Sequence, residues 1–433
     1  MRIPLSGRIC VVVDTFDALT TTVPGGTPLG ALQALRAMSH MPGRWWSGSA
    51  PSSRLAYGFA SATPTPFVSG YTECRSARIR HLRKAGSDMV DIRLGLIGCG
   101  GIVGMLHLPV YMGQSDVEIV GLADPNADAI KAAKEPHPSL ADVPEYADHR
   151  DLLDKSGANA VLISSPHAFH SAQIIDALDA GCNVQTEKPA GASPADVEAA
   201  IAKRDATGKV VLVSYNRRFI PVYQGIVKAL RDGKIGTIHG VALTHTENWF
   251  ERNRTTWRTV AKMAGGGFIM DTGAHTLDFI HHAIGKDTSK LSARIDRMGS
   301  EVDVTAGVSF QFCDGPIGSV FTTGLGPAVA GYLWEDISFY GDKGAIMLRS
   351  VGPEAFMKPT VFTNDYATGE TTVEANPDGI GDDYYPGPGT NFVNAVMGRP
   401  TAEYATLEDA LRVHKFVDAV YRSADVRGDE VSV

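Results

Sequence analysis

The chain has 433 residues, more than one ordinary domain holds, and 44% apolar with 20% charged residues is a globular balance that excludes fibrous and wholly disordered classes. A formal charge of −8 argues against nucleic acid as a partner, because binding phosphates requires a basic surface. No apolar run reaches the ~18 residues of a membrane-spanning helix, so a soluble protein with no membrane partner is expected.

Residues 1–88 hold ten Lys and Arg against four Asp and Glu, whereas the remainder holds 30 against 44. This stretch is rich in Ser, Thr and Arg, with one short apolar run at Ile9–Val13, and superficially matches a transit peptide. The reading preferred is an extension that is disordered or precedes a true start at Met89. Cys10, Cys74, Cys99, Cys182 and Cys313 are odd in number, widely spaced and without a C-x-x-C pair. That pattern fits neither a disulfide framework nor a cysteine zinc site, and it predicts a reducing, cytoplasmic location.

From residue 91 the pattern changes. A buried-strand run at Ile92–Ile97 precedes a glycine cluster, and a second strand ends on Asp124. Helical signals at 127–134, 170–180 and after Ser193-Pro194 alternate with strands at 160–164, 183–186 and 210–214. This alternation predicts an α/β fold, a doubly wound parallel sheet over residues 89–215. Beyond about Ile235 the period becomes two, as in Val304, Ala306, Val308, Phe310 and Phe312. Residues 216–433 are therefore expected to form an α+β domain with a large, open, mainly antiparallel sheet. A final helix, about 406–423, is expected to return to the first domain.

Gly98-Cys99-Gly100-Gly101-Ile102-Val103 follows the first strand and opens a helix, where backbone amides and the helix dipole can hold a pyrophosphate. Val103 replaces the third glycine of the usual fingerprint. Asp124, at the end of the second strand, can accept from both ribose hydroxyls and repel a 2′-phosphate, and no Lys or Arg follows in Asp124-Pro125-Asn126. The cofactor predicted is NAD, with NADP the less favoured alternative.

Lys188, in Glu187-Lys188-Pro189, lies at a strand's carboxyl end, where it can polarise a carbonyl or alcohol oxygen. Asp271 and His275 are i and i+4, so one helix face is expected to set a carboxylate beside an imidazole for proton transfer. The preceding glycines, Gly265–Gly267, permit close approach of backbone to ligand. Asp271, His275, Asp278 and His282 run along three helical turns and cannot converge on one ion, so no metal is expected.

Together these segments resemble the Gfo/Idh/MocA family of glucose–fructose oxidoreductase, inositol dehydrogenase and their relatives. The resemblance spans about 91–425 and rests on the glycine turn, His107-Leu108-Pro109, Ser165-Pro166-His167 with His170, and Glu187-Lys188-Pro189. It continues through Asn216-Arg217-Arg218-Phe219, Asp271 with His275, and Tyr340 to Gly344. It implies a Rossmann domain and a second domain whose open sheet joins subunits, hence a homo-oligomer, dimer or tetramer. By resemblance Lys188, Asp271 and His275 are catalytic, with His275 shuttling the hydroxyl proton. Ser165, Pro166, His167, His170 and Glu187 would flank the cofactor; His167 stands where asparagine is more usual. Arg217, Arg218, Trp249, Arg254 and Trp257 would lie at the substrate pocket, with packing as the alternative for the two tryptophans. The implied function is hydride transfer between nicotinamide and a secondary alcohol or ketone of a sugar, cyclitol or nucleotide-sugar. The alternatives are a glycoside-cleaving or epimerising enzyme that recycles NAD, and an NAD-sensing regulatory protein without turnover.

Overall fold

The computed structural model describes residues 91–327, 333–351, 358–366, 368–375 and 387–433, all within the unit Val90–Val433. The expectations for residues 1–88 lie outside the described residues. Strand β1 (Ile92–Ile97) is buried on both faces except at Arg93, as a central strand of a parallel sheet must be. With β2 (Val117–Ala123), β3 (Glu145–Tyr146), β4 (Ala160–Ile163), β5 (Asn183–Thr186) and β6 (Val211–Val213) it forms a parallel sheet of order β3-β2-β1-β4-β5-β6. This is the doubly wound order that reverses direction between β1 and β4.

The intervening helices start where short polar side chains can accept their first free N–H groups. Asn126 caps α1 (Ala127–Lys134), and Asp148 caps α2 (His149–Lys155). Helix α3 (His167–Asp179) follows β4 directly. Ser193 caps α4 (Pro194–Thr207), which has Pro194 at its first position and ends at left-handed Gly208.

After α5 (Pro221–Arg231) a second sheet begins with β7 (Ile238–Glu247) and continues, beyond α6 (Gly273–Ile284), through β8 (Thr288–Asp296), β9 (Thr305–Phe312) and β10 (Ile317–Thr323). Strands β11 (Leu333–Gly341), β12 (Gly344–Val351), β13 (Lys358–Asp365), β14 (Glu370–Ala375) and β15 (Val431–Ser432) complete it. Its order is β14-β13-β12-β11-β7-β10-β9-β8-β15, antiparallel at every pairing except β7 with β10. On β9 the alternation is as the period predicts: Ala306, Val308, Phe310 and Phe312 are buried, and Ser309 is exposed.

Helix α7 (Pro388–Val396) precedes α8 (Leu407–Asp425), which opens with a reciprocal Thr406–Asp409 capping box and packs on both α4 and β8. Arg204 of α4 forks onto Glu408 at 2.5 and 2.7 Å. One apolar cluster runs from Val161 and Ile163 through Phe416 to Phe310 and Phe339, so the first sheet and the second share a core. Among the described residues no helix is long and apolar enough to cross a membrane.

Candidate active site

Where the strand order reverses, the carboxyl ends of β1, β4 and β5 open a cleft of about 1180 Å³. Gly98, Gly100, Gly101, Ile102, Asp124, Ser165, Pro166, His167 and His170 line it, as do Glu187, Lys188, Trp257, Asp271 and His275.

One end is made largely of backbone. Gly98 has φ +83°, and a Cβ there would lie 2.6 Å from the Ser164 carbonyl carbon, so glycine is required. At Gly100 and Gly101 a Cβ would meet nothing within 4 Å. The protein's own packing does not demand glycine at these two positions, whereas a pyrophosphate approaching the amides would. The acidic residue at the end of β2 is equally prepared: Asp124 accepts from the Cys99 N–H at 2.8 Å and the Asn126 N–H at 2.8 Å. Those bonds fix the carboxylate while leaving it further acceptor capacity for ribose hydroxyls. Val103, expected at the cofactor, is instead fully buried. It begins a π-helical turn, Val103–His107, and packs in the core because the turn's own geometry directs it inward.

That turn carries His107 to Glu187, with Nε2 and Oε1 2.8 Å apart. Burial works to raise the Glu187 carboxyl, but the hydrogen bond and charge of His107, with Lys188, outweigh it and hold the group below its usual range. His170 sits with its ring nitrogens 2.6 Å from the Ser165 and Pro189 carbonyl oxygens, tying the loop after β4 to the loop after β5.

The other end converges on Asp271. Lys188 Nζ donates to its carbonyl oxygen at 2.6 Å and to Oδ1 at 3.1 Å. Trp249 Nε1 and Arg258 Nε donate to Oδ2 at 2.7 and 3.0 Å, and His167 Nε2 lies 3.6 Å from Oδ1. Burial would raise this carboxyl, yet Lys188, His167 and Arg258 hold it well below the ordinary range. Asp271 is a fixed anion, a hub for donors.

Its backbone is set by the glycine run before it. Gly265 has φ +71° and lies against Ala192, while a Cβ on Gly267 would collide with the Asp303 carbonyl oxygen. The Asp303 carboxylate also accepts from the N–H groups of Gly267 and Ile269, at 2.8 and 2.9 Å. The close approach expected of these glycines is thus to the protein's own backbone.

Asp271 and His275 both line the cleft, on two helices separated only by Thr272, whose backbone stays in the right-handed helical region (φ −88°, ψ −41°). Asp271 ends the short helix Phe268–Asp271, and His275 belongs to α6, which begins at Gly273. His275 is half-buried, and its Nδ1 has no hydrogen-bond partner among the described residues. Burial, then the cations Lys188 and Arg217, push its imidazole well below its usual range.

Arg217 and Arg218 also depart from expectation, because neither lines the cleft. Arg217 is buried in an ion pair with Glu335, which Tyr223 joins at 2.8 Å. Arg218 forks onto Asp278 at 2.7 and 2.8 Å and reaches Asp409 at 3.1 Å. Trp249 is buried behind Asp271 and reaches the site only through its indole N–H. Arg254 pairs with Glu251 at 3.2 Å. Trp257 does face the cleft, and so do Arg258, Ser214 and Asn216 among the residues to which the sequence reading gives no site role. The only sequence signal for Arg258 is its place beside Trp257.

Family models agree with this architecture. Residues 92–215 match the oxidoreductase family with an NAD-binding Rossmann fold, and residues 223–347 match the GFO/IDH/MocA C-terminal domain. The chain belongs to the Gfo/Idh/MocA oxidoreductase family. It is 29% identical over 206 residues to the uncharacterized oxidoreductase YrbE of Bacillus subtilis, a match that covers 47% of this chain and 57% of that protein. It is 27% identical over 266 residues to myo-inositol 2-dehydrogenase of Thermotoga maritima, covering 60% of this chain and 76% of the relative. Among solved structures, the WlbA dehydrogenase of Bordetella pertussis, crystallised with NADH and UDP-GlcNAcA, superposes with a TM-score of 0.66 at 23% identity. That superposition covers 80% of this chain and 99% of WlbA, and it supports the shared fold. The first domain is an NAD-binding Rossmann domain of this family.

Proposed function

We propose that the protein is an NAD-dependent dehydrogenase acting on a secondary alcohol of a sugar, cyclitol or nucleotide-sugar. The observation that carries this reading is the Lys188 ammonium, which lines the cleft with two of its three donors committed to Asp271. Its third proton is available for a substrate oxygen, and an ammonium there stabilises the charge that develops as the hydroxyl proton leaves. Asp271 orients Lys188 and balances its charge. Bound NAD supplies the hydride acceptor.

The chain's own residues do the remaining work. Gly100, Gly101 and Asp124 hold the dinucleotide, and Trp257 with Arg258 walls the reacting end. A neutral imidazole on the cleft wall takes the hydroxyl proton, and of the histidines lining the cleft His275 and His167 are the ones on which the Lys188 and Asp271 charges both act. The polyhydroxy substrate class is supported by the inositol dehydrogenase likeness and by the UDP-sugar bound to WlbA. Exposed Ile317, Phe321, Trp334 and Tyr340 on one face of the second sheet support a homo-oligomer formed there. Free Cys99, Cys182 and Cys313 support a cytoplasmic location.

The test is nicotinamide absorbance with NAD or NADP and a panel containing myo-inositol, glucose and UDP-sugars. Reduction of NAD by one group supports the reading. Tightly held NAD released on denaturation, with no turnover of any panel member, would replace it with a cofactor-recycling enzyme.

A further inference from the structure

Among the described residues the cleft is lined by three permanent cations, which differ in what they have left to give. Arg150 is paired with Asp176 at 3.0 Å, and Lys188 has two of its protons on Asp271. Arg258 donates through Nε alone, at 3.0 Å to Asp271 Oδ2, and no acceptor among the described residues takes its Nη1 or Nη2. The arginines just before it in the chain are engaged otherwise, Arg252 with Glu247 at 3.4 Å and Arg254 with Glu251 at 3.2 Å. Arg258 is therefore a charged donor in the cleft with most of its N–H groups unused.

Its free end is also held still. The guanidinium lies over the Trp257 ring, 4.5 Å from the centroid, and His167 braces that ring edge-on with centroids 4.7 Å apart. Stacking on one face and a bond through Nε fix the plane of the group, and the side chain remains 37% exposed. The Nη1–Nη2 edge is thus a preset fork. Two parallel N–H groups of a cation match the two oxygens of a carboxylate better than they match a single hydroxyl.

The occupant of this fork is not the cofactor. The pyrophosphate belongs to the amides at Gly100 and Gly101, and the oxidised nicotinamide ring is itself a cation. The protein supplies no second carboxylate, because Glu187 is bonded to His107 at 2.8 Å. Lys188 and Arg258 hold different oxygens of the one Asp271 carboxylate, so the position for the reacting hydroxyl and the fork stand side by side.

Resting on the dehydrogenase reading, we infer that the substrate is a sugar acid whose carboxylate, carried on the ring that bears the reacting hydroxyl, is bound by the Arg258 fork. Arg258 is then a specificity residue. It selects the polyol that enters, while Lys188 acts on the hydroxyl. A neutral polyol leaves the fork unpaired and forfeits a charge-assisted pair.

The test uses the full chain and four compounds, glucose, glucuronate, UDP-glucose and UDP-glucuronate, followed by nicotinamide absorbance. Each acid should exceed its neutral partner by about 10–10²-fold in kcat/KM. Arg258→Gln should bring that ratio to within about threefold of one, and Arg258→Lys, which keeps the charge without the fork, should restore only part of it. A ratio unmoved in Arg258→Gln, or a preference that follows the diphosphate instead of the carboxylate, overturns the inference and spares the dehydrogenase reading. Calorimetry of the NADH-loaded protein with the same compounds separates the two failures. Glucuronate or UDP-glucuronate binding that requires Arg258, with no turnover of any compound, keeps the fork and defeats the dehydrogenase reading. Neither binding nor turnover of either acid by the wild type overturns the fork.

Discussion

The two ends of the cleft are built on different principles. At the dinucleotide end, Gly98, Gly100, Gly101 and Asp124 belong to two successive strand ends and present backbone amides plus one carboxylate. At the reacting end, His167, Lys188, Trp249, Arg258 and Asp271 come from separate segments and meet at a single side chain. A backbone cradle needs a local conformation and little else. A convergent hub needs several distant segments to be right together, so it is the end that one substitution can dismantle.

Arg217, buried outside the cleft, should show the largest effect. Arg217→Ala strands the buried Glu335 carboxylate and is expected to cost about 3–5 kcal/mol of stability, read from urea unfolding. A rise in KM at unchanged stability would instead return Arg217 to the substrate pocket. Lys188→Ala should lower kcat by about 10²–10³-fold, near 3–4 kcal/mol, while NADH affinity by fluorescence titration stays within about threefold. Equal losses in both measurements would erase the distinction between the two ends.

Asp124→Ala is the mirror test. It should weaken NAD by about 1.5–3 kcal/mol and narrow the preference over NADP, with kcat at saturating cofactor nearly constant. The smallest effect belongs to neither end. His281 is buried with its pKa pushed down to about 4, first by burial. The unfolded ring takes up a proton below about 6.5 and the folded ring does not, so stability is full above pH 6.5 and falls as pH drops towards 4. The expected slope is up to ~1.4 kcal/mol per pH unit from this residue, and His281→Gln should flatten it in denaturant melts at pH 7, 6 and 5.

The same division governs what can be read from the sequence. The glycine turn, Asp124 and five of the six strands of the parallel sheet follow from local patterns, since strand period, turn residues and caps act within a few residues of each other. Lys188 is legible because a strand end in a doubly wound sheet always faces the crevice. Asp271 and His275 both reach the cleft, but the interruption between them is not legible from i,i+4 spacing, because Asp303, from a segment beyond α6 and β8, caps a separate short helix there. Arg217 and Arg218 look like ligand cations until Glu335 and Asp278 are seen buried beside them. Strands β3, β8, β13, β14 and β15 escape the sequence reading; β3 and β15 are only two residues long, and β13 and β14 lie beyond the last strong period-two run.

The parallel sheet ends on β6, a strand of three residues, and the segment leading into α8 lays Ala405 antiparallel to Val213, whose N–H donates to the Ala405 carbonyl at 3.0 Å. At the opposite rim β3 is only two residues long. Open strand edges are templates on which a second chain can add its own strand and start an aggregate. Here one rim is capped by a segment from the far end of the chain and the other is too short to copy, so this sheet offers little purchase for runaway strand addition between molecules.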